Sequence, residues 1–314
     1  MFSIIIPLYN KAPYIQRAID SVLNQRFKEF EIIVVNDGST DGGENLVREN
    51  YGDQVNLLNQ TNQGVSSARN KGITQAKFPW IAFLDADDYW HPDYLKLVAQ
   101  TIHKNPNKGI IGCHYSSGAL SIEPQLAYFC LDQYFKQAIY NTRFFTSATC
   151  LKKSFFEQKD GFDSNLKLGE DIDVWFRASL FFGDGMYIKN TLVYYGQEDD
   201  FAATKKHYAI EQTPILKLLE QNYYTNSKDQ SDCTLDTFQV FQSKWVYFNL
   251  LLMYYLSENK SKIQIALKNI PIKYSLIHSV YSLPFPLLGK IFRSKVLVRL
   301  FRNYMKFCFR YIYT

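Results

Sequence analysis

The stretch Trp80-Ile81-Ala82-Phe83-Leu84-Asp85-Ala86-Asp87-Asp88 joins a short apolar run to three carboxylates. Such a run is typical of a buried strand, and ligands bind at the carboxyl ends of strands in α/β sheets. Three carboxylates in four residues repel one another, so a hard divalent cation with oxygen ligands would stabilise them. The alternative is a solvated acidic turn in which Asp88 caps the next helix.

The residues around this stretch alternate between strand and helix patterns. Strands are predicted at residues 3–8, 30–35, 55–58, 80–84, 109–113 and 186–195. Helices are predicted at 13–23, near 46–47, and at 62–76, 92–103 and 172–182. This alternation implies an α/β fold with a largely parallel sheet and helices on both faces.

The remaining residues show weaker strand patterns. Residues 115–150 are less regular, and we expect them to form an excursion over the sheet. Helical patterns dominate from about residue 205, and the polar segment 221–233 is the best candidate for a linker. We therefore expect a first domain at 1–220, with halves at about 1–115 and 116–220, and a helical basic region at 234–314.

Composition excludes several classes of protein. The five cysteines among 314 residues are far apart and form no Cys-x-x-Cys pair, which argues against a zinc site or a disulfide framework. The apolar run after Met1 is too short for a signal peptide. The longest later run, residues 245–256, is well short of the roughly 20 residues that a spanning helix needs. We expect a cytoplasmic protein that does not cross a membrane.

Charge is unevenly distributed along the chain. The net charge is +5, yet residues 259–314 carry eleven Lys or Arg and no Asp or Glu, so the preceding part has a net charge of −6. Within 289–314, basic residues alternate with apolar and aromatic ones, as in an interfacial amphipathic helix. We expect this segment to bind an anionic membrane, at the inner face of the plasma membrane. The alternative is a helical hairpin packed on the first domain. Nucleic acid is not expected as a partner, because the body is acidic.

Asp37 and Arg69 are candidate ligand contacts outside the acidic stretch. Asp37 ends a second apolar run, and Gly38 after it allows a ligand to approach the backbone closely. The Asp37 carboxylate could accept from a nucleobase N–H or a ribose hydroxyl, or it could form an Asx-turn or helix cap. Arg69 lies within the predicted helix 62–76, where it could point toward a nucleotide or be a solvated charge.

Glu170 and Asp171 form a second acidic cluster. They fall at a predicted helix start, where free backbone N–H groups stabilise carboxylates. The functional alternative is that a carboxylate enters a cleft as a general base toward an alcohol.

Five motifs occur together in a fixed order. They are residues 3–10 (SIIIPLYN), 35–41 (VNDGSTD), 62–72 (NQGVSSARNKG), 84–88 (LDADD) and 169–171 (GED). In order and spacing they closely resemble family 2 inverting glycosyltransferases of bacterial polysaccharide biosynthesis. The resemblance covers roughly residues 1–200. It implies the GT-A nucleotide-diphospho-sugar transferase fold with a C-terminal helical extension, in which 1–115 binds the nucleotide and 116–220 the acceptor.

The resemblance also implies a reaction and a set of site residues. A UDP-sugar would pass its sugar to a hydroxyl of a saccharide or lipid-linked saccharide acceptor, with Mn²⁺ or Mg²⁺ as cofactor. Asp87 would ligate the metal, and Asp171 would be the catalytic base. The residues implied at the nucleotide are Asp37 at the uracil, Asp85 near the ribose and diphosphate, and Pro7, Tyr9, Arg69 and Ala86 in the pocket. Many relatives carry a His or Arg after the next strand; this chain has 194–198 (YYGQE), and His207 could substitute.

Two other functions remain open. A nucleotidyltransferase also combines an α/β sheet with metal-binding carboxylates, but Lys11 is the only basic residue among the first 16 that could grip a triphosphate. A non-catalytic module that binds nucleotide sugars is the second alternative. A dinucleotide-dependent dehydrogenase is not expected, because the first strand is not followed by Gly-x-Gly-x-x-Gly.

Overall fold

A mixed β-sheet organises the N-terminal part of the chain. The computed structural model describes residues 1–197 and 206–313. The strands are β1 (Phe2–Leu8), β2 (Phe30–Asp37), β3 (Asn56–Gln60), β4 (Trp80–Phe83), β5 (Tyr89–Trp90), β6 (Ile110–Ser116), β7 (Tyr128–Cys130), β8 (Thr149–Lys152) and β9 (Met186–Tyr194). Their order across the sheet is β3-β2-β1-β4-β8-β6-β9-β5, and β7 also pairs with β9.

Helices cover both faces of this sheet and form the C-terminal part. Those of the N-terminal part are α1 (Ala12–Leu23), α2 (Gly43–Tyr51), α3 (Val65–Gln75), α4 (Tyr94–Lys104), α5 (Tyr134–Gln137), α6 (Ser154–Gln158) and α7 (Glu170–Phe182). Those that follow are α8 (Pro214–Leu218), α9 (Tyr223–Ser227), α10 (Leu235–Leu250), α11 (Lys260–Asn269), α12 (Ser275–Tyr281), α13 (Phe285–Arg293) and α14 (Lys295–Phe307).

The strands β3, β2, β1 and β4 are parallel; β2, β1 and β4 are largely buried, whereas the edge strand β3 is partly exposed. Alternate residues of β1 enter different cores: Ile4 and Ile6 pack in one hydrophobic cluster, and Ile5 in the other. A parallel sheet needs cover on both faces, so its strands are continuous apolar runs. All four of these strands were predicted, and the α/β fold class is confirmed.

Pairing becomes antiparallel beyond β4. Strand β8 lies between β4 and β6 and is antiparallel to both, whereas β6 and β9 are parallel. Residues 115–150, predicted to run over the sheet, supply β7 and the start of β8. The β8 pattern Thr149-Cys150-Leu151-Lys152 was missed because it is short and does not alternate in polarity.

Helix α3 lies unusually close to β1. A Cβ atom on Gly72 would be 2.5 Å from Cγ2 of Ile5, so only glycine permits this approach. The short distance carries Arg69, almost one turn earlier on α3, toward the carboxyl ends of β1 and β4.

The C-terminal helices pack on α7 through aromatic rings. Phe176 of α7 contacts Phe241 and Trp245 of α10, with ring centroids 4.9 and 5.5 Å apart. The segment 221–233, predicted as the best candidate for a linker, contains the short helix α9, whose buried Tyr223 donates a hydrogen bond to Oδ1 of Asp173 at 3.0 Å. The polar composition of this segment did not indicate that the ring of Tyr223 is buried.

The C-terminal part adds no membrane span. Within residues 1–197 and 206–313, helices long and apolar enough to cross a bilayer are absent.

Candidate active site

A cleft of about 840 Å³ opens at the carboxyl ends of the parallel strands. Because β1, β2 and β4 are parallel, the residues that follow them meet at one edge of the sheet. The cleft is lined by all eight residues predicted for the site: Pro7, Tyr9, Asp37, Arg69, Asp85, Ala86, Asp87 and Asp171. The structure therefore brings together residues that are up to 164 positions apart in sequence.

Asp37 holds the loop before α3. Its buried carboxylate accepts hydrogen bonds from the backbone N–H groups of Gln63 and Gly64 and from Nε2 of Gln60, each at 2.8 Å. The Asp37 carboxylate therefore binds backbone N–H groups of a distant segment, not those of the residues next to it in sequence. A carboxylate offers about four lone-pair positions, so three bonds leave room for one further donor from the cleft.

Arg69 joins the two acidic motifs. Its guanidinium is buried and donates to Asp85 Oδ1 and to Glu170 Oε1, both at 2.8 Å, while it lies over the ring of Phe162. Burial alone would lower the pKa of Arg69, but the two carboxylates outweigh it and hold the pKa above its ordinary value. Arg69 is thus a fixed positive charge inside the cleft wall, not a solvated helix charge.

The acidic stretch after β4 is divided among three partners. Asp85 is bound by Arg69, Asp87 Oδ2 accepts from Lys11 Nζ at 2.5 Å, and buried Asp88 accepts from the backbone N–H of Gly196. Asp88 does not cap α4, which begins six residues later. Burial and the charge of Asp85 raise the pKa of Asp87, and Lys11 opposes this rise. Asp85 and Asp87 therefore each have a cationic partner, whereas Asp88 has a backbone N–H as partner and its Oδ2 atom is buried without a hydrogen bond from the described residues.

Asp171 lies at the first turn of α7 and lines the same cleft. Its Oδ2 accepts from Thr146 Oγ1 at 2.9 Å, and its Oδ1 accepts from the backbone N–H of Ile172. Burial, and then the charge of Glu170, raise the pKa of Asp171 to about 6. Glu170 is bound by Arg69 instead, so the two neighbouring carboxylates have different environments. Of the two, Asp171 has no cationic partner within 4 Å in the described part of the chain.

Several lining residues were not predicted. Lys11 was seen only as an isolated base, and its partner Asp87 is 76 residues away. Phe145 and Thr146 come from the irregular segment, where Phe145 stacks on Tyr115 and meets Tyr195 edge-on. Lys167 also reaches the cleft wall. A sequence pattern could not identify them, because their role depends on contacts between distant segments.

His207 does not line the cleft. Its exposed ring stacks on Tyr255, with centroids 4.1 Å apart. Tyr195, Gly196 and Gln197 do line the cleft, while Glu198 lies outside the described residues.

A divalent cation could be held only with help from a substrate. Within residues 1–197 and 206–313, groups of three or more His, Cys, Asp or Glu suited to a metal are absent. Asp87 and Asp85 each keep an oxygen that receives no hydrogen bond from the described residues. One or two carboxylates completed by phosphate oxygens are a usual Mg²⁺ donor set, so the residues fit such an ion.

A mixed sheet with an acidic motif at the switch from parallel to antiparallel pairing defines the architecture of GT-A nucleotide-sugar transferases. Residues 3–157 match the model of the family described as Glycosyl transferase family 2. Residues 3–157, just under half of the chain, therefore form a domain of this family.

The chain is similar in sequence to known proteins and in fold to solved structures. The chain is 34% identical over 206 residues to an uncharacterized glycosyltransferase of Rickettsia prowazekii. The aligned residues make up 61% of this chain and 64% of that protein. The fold resembles the S. aureus TarS 1-349 fragment in complex with UDP-GlcNAc (TM-score 0.67, 19% identity, 98% and 91% of the two chains). It also resembles the Pyrobaculum calidifontis mannosyltransferase PcManGT in complex with GDP-Man and Mn²⁺ (TM-score 0.55, 17% identity, 98% and 86%).

Replacing Arg69 should destabilise the protein far more than replacing an exposed arginine. Arg69→Met leaves Asp85 and Glu170 without their cation and should lower the free energy of unfolding by roughly 3 kcal/mol. Arg48→Met, at a side chain 59% exposed that pairs with Glu44 within α2, should cost less than about 1 kcal/mol. Urea unfolding followed by circular dichroism measures both. Equal losses would show that Arg69 does not hold the cleft together.

Proposed function

We propose that this protein is a metal-dependent inverting glycosyltransferase that moves a sugar from a UDP-sugar to a hydroxyl of a saccharide or lipid-linked saccharide. The observation that carries the proposal is the cleft geometry: the Asp85-Ala86-Asp87 motif and Asp171, whose pKa is raised, line the same cleft, and Arg69 bridges Asp85 and Glu170. Membership of the family and the similarity to a TarS structure that holds UDP-GlcNAc support it.

The nucleotide would lie over the carboxyl ends of β1 and β2. The remaining acceptor position of Asp37 suits the N3–H of uracil, and Pro7 and exposed Tyr9 offer apolar surface beside it. Arg69 would act mainly through Asp85, which it orients toward the ribose and diphosphate.

Asp87, with Asp85 close by, would hold Mn²⁺ or Mg²⁺ against the diphosphate of the donor. When bound, the ion would neutralise charge on the leaving diphosphate. In this structure the ammonium of Lys11 pairs with Asp87, so a metal ion would compete with Lys11 for this carboxylate. A diphosphate in the cleft would offer Lys11 another anionic partner and free Asp87 for the ion.

Asp171 would act as the general base. It accepts the proton of the acceptor hydroxyl while that oxygen forms a bond to the anomeric carbon from the face opposite the diphosphate. The bond between the anomeric carbon and the diphosphate oxygen breaks, and its electron pair leaves with UDP. One displacement inverts the configuration, so the enzyme needs no covalent nucleophile. Thr146 fixes the carboxylate, because its hydroxyl donates to Oδ2.

The pH dependence of transfer should report Asp171. The base works only when ionised, so kcat should rise with pH through about 6 and then level off. Thr146→Val removes a hydrogen bond that lowers the pKa of Asp171, so the rising limb should move to higher pH.

Asp171→Asn should reduce kcat by about 10²-fold or more, with UDP affinity within about twofold of wild type. Steady-state rates and UDP calorimetry test this. Loss of UDP binding together with activity would assign Asp171 to the donor site, and UDP binding without turnover in the wild type would favour a non-catalytic module.

Mn²⁺ binding should depend on Asp87 and Lys11 in opposite directions. Asp87→Asn should lower the affinity for Mn²⁺ in the presence of UDP and abolish transfer. Chelation of the metal should also abolish transfer by the wild type. Lys11→Met removes the competing ammonium and should tighten Mn²⁺ binding without UDP by about tenfold. Lys77→Met, at a side chain 80% exposed, is the matched control and should change nothing. Electron paramagnetic resonance of free Mn²⁺ measures all three variants; full activity in excess chelator would contradict the role of the metal.

We also propose that α14 brings the protein to an anionic membrane surface. Met305 packs into the protein, but Val296, Leu300 and Phe307 form a stripe along the helix and are 66, 58 and 54% exposed. The exposed cations Arg299 and Lys306 flank this stripe. An exposed apolar stripe beside a basic face suits the boundary between headgroups and acyl chains. The packing of α13 and α14 on the protein also agrees with part of the hairpin alternative.

Substitutions on the stripe should abolish membrane binding without unfolding the protein. Leu300→Gln with Phe307→Gln should prevent flotation with vesicles that contain phosphatidylserine, because apolar burial contributes about 25 cal/mol per Å². Ile122→Gln, an equally polar change at a side chain 92% exposed on the N-terminal part, should float like the wild type. Donor hydrolysis in solution should survive in both variants. Unchanged flotation of the double variant would exclude α14 as the contact.

A further inference from the structure

A second cavity, of about 770 Å³, lies between α5, α10 and the end of α14. Its apolar lining includes the buried side chains Phe135, Ile139, Phe241 and Phe309. Its volume is within the usual range for small-molecule sites, which are mostly apolar with a few polar groups. The residues proposed for catalysis do not line this cavity.

The charged residues of this cavity are mainly basic. Exposed Lys136, Lys306 and Arg310 stand at its rim, and Asp236 is the single acidic residue in the lining. An apolar interior with a cationic rim is complementary to an amphiphile with an anionic head.

Lys244 places a further positive charge inside the cavity wall. Its side chain is 7% exposed, and Nζ donates to the backbone carbonyls of Tyr313 at 2.9 Å and Phe309 at 3.4 Å. Among the described residues, acidic side chains within 4.0 Å of Nζ are absent, and burial lowers the pKa of this amine. An ammonium has three donors, so two carbonyls leave one for an anion. A buried charge without an opposite charge is costly, and a bound anion would offset this cost.

The cavity is also close to the acceptor side of the cleft. Tyr140 lines the cavity, and Phe145, five residues later, lines the cleft next to Thr146 and Asp171. Five residues of fully extended chain span at most about 18 Å, which is an upper limit for the distance between these two positions. A phosphate at the rim could therefore carry a short saccharide that reaches Asp171.

We infer that this cavity holds the lipid of a lipid-phosphate-linked saccharide acceptor: the hydrocarbon chain lies against Phe135, Phe241 and Phe309, and the phosphate pairs with Lys244 and Lys306. This inference rests on the proposed transferase function and narrows its acceptor to the lipid-linked class. The apolar stripe of α14 faces the membrane in which such a lipid resides.

Binding of a simple amphiphile tests the cavity without any turnover. Monododecyl phosphate, below its micelle concentration, should bind once per chain by calorimetry, at least about tenfold tighter than dodecyl glucoside or inorganic phosphate. Two variants should bind monododecyl phosphate about tenfold or more weakly, since hydrogen bonds to charged groups are lost. They are Lys244→Met and the double variant Lys306→Glu with Arg310→Glu. Lys104→Glu, on α4, is the control and should bind like the wild type. Equal affinity for the neutral and anionic amphiphiles, or for all variants, would overturn the inference.

Transfer kinetics test the assignment to the acceptor. Lys244→Met should raise KM for a lipid-phosphate-linked saccharide, while kcat/KM for the same saccharide without lipid and the affinity for UDP stay unchanged. An unchanged KM for the lipid-linked acceptor would overturn the assignment even if dodecyl phosphate binds. Absence of transfer to every acceptor by the wild type, with UDP and dodecyl phosphate both bound, would instead contradict the proposed function.

Discussion

The double ion pair of Arg69 is the contact on which the rest of the cleft depends. One buried guanidinium holds Asp85, at the end of the parallel strands, and Glu170, at the start of α7. Breaking a buried pair is costly because the remaining charges stay desolvated, so this contact ties the two acidic motifs to one geometry. Glu170 thus has a cationic partner, whereas Asp171 has a raised pKa and, among the described side chains, accepts a hydrogen bond from the Thr146 hydroxyl.

The change in strand direction divides the cleft between two tasks. Parallel strands bring Pro7, Asp37 and Asp85 to one edge, where a nucleotide can lie across them. The antiparallel strand β8 is preceded by Phe145 and Thr146, which line the cleft together with Asp171. Donor and acceptor would therefore meet where the strand pairing changes from parallel to antiparallel. Without substrates, Lys11 and Arg69 compensate the negative charge of the acidic residues there.

The C-terminal helices connect this cleft to a surface of different chemistry. Their aromatic contacts with α7 make them part of the same hydrophobic cluster as the sheet, so the cavity beside Lys244 is held at a defined distance from Asp171. Basic residues of α14 and just after it serve both proposed contacts: Arg299 and Lys306 flank the exposed stripe, and Lys306 and Arg310 line the cavity rim. A lipid-linked acceptor would account for both features.

The sequence by itself determined the parallel strands, the order of the motifs and the edge where the acidic residues lie, because continuous apolar runs must be buried and their polar ends must not. It also identified eight of the residues that line the cleft, through a resemblance carried by five motifs. The tertiary structure alone decided the partners: Lys11 with Asp87, Arg69 with Glu170, Thr146 with Asp171, and buried Tyr223 in a segment that reads as polar linker. Arg69 and Glu170 are 101 residues apart, and no local pattern encodes a contact whose energy depends on the burial of both groups. The same holds for β8, which is a strand only because β4 and β6 flank it.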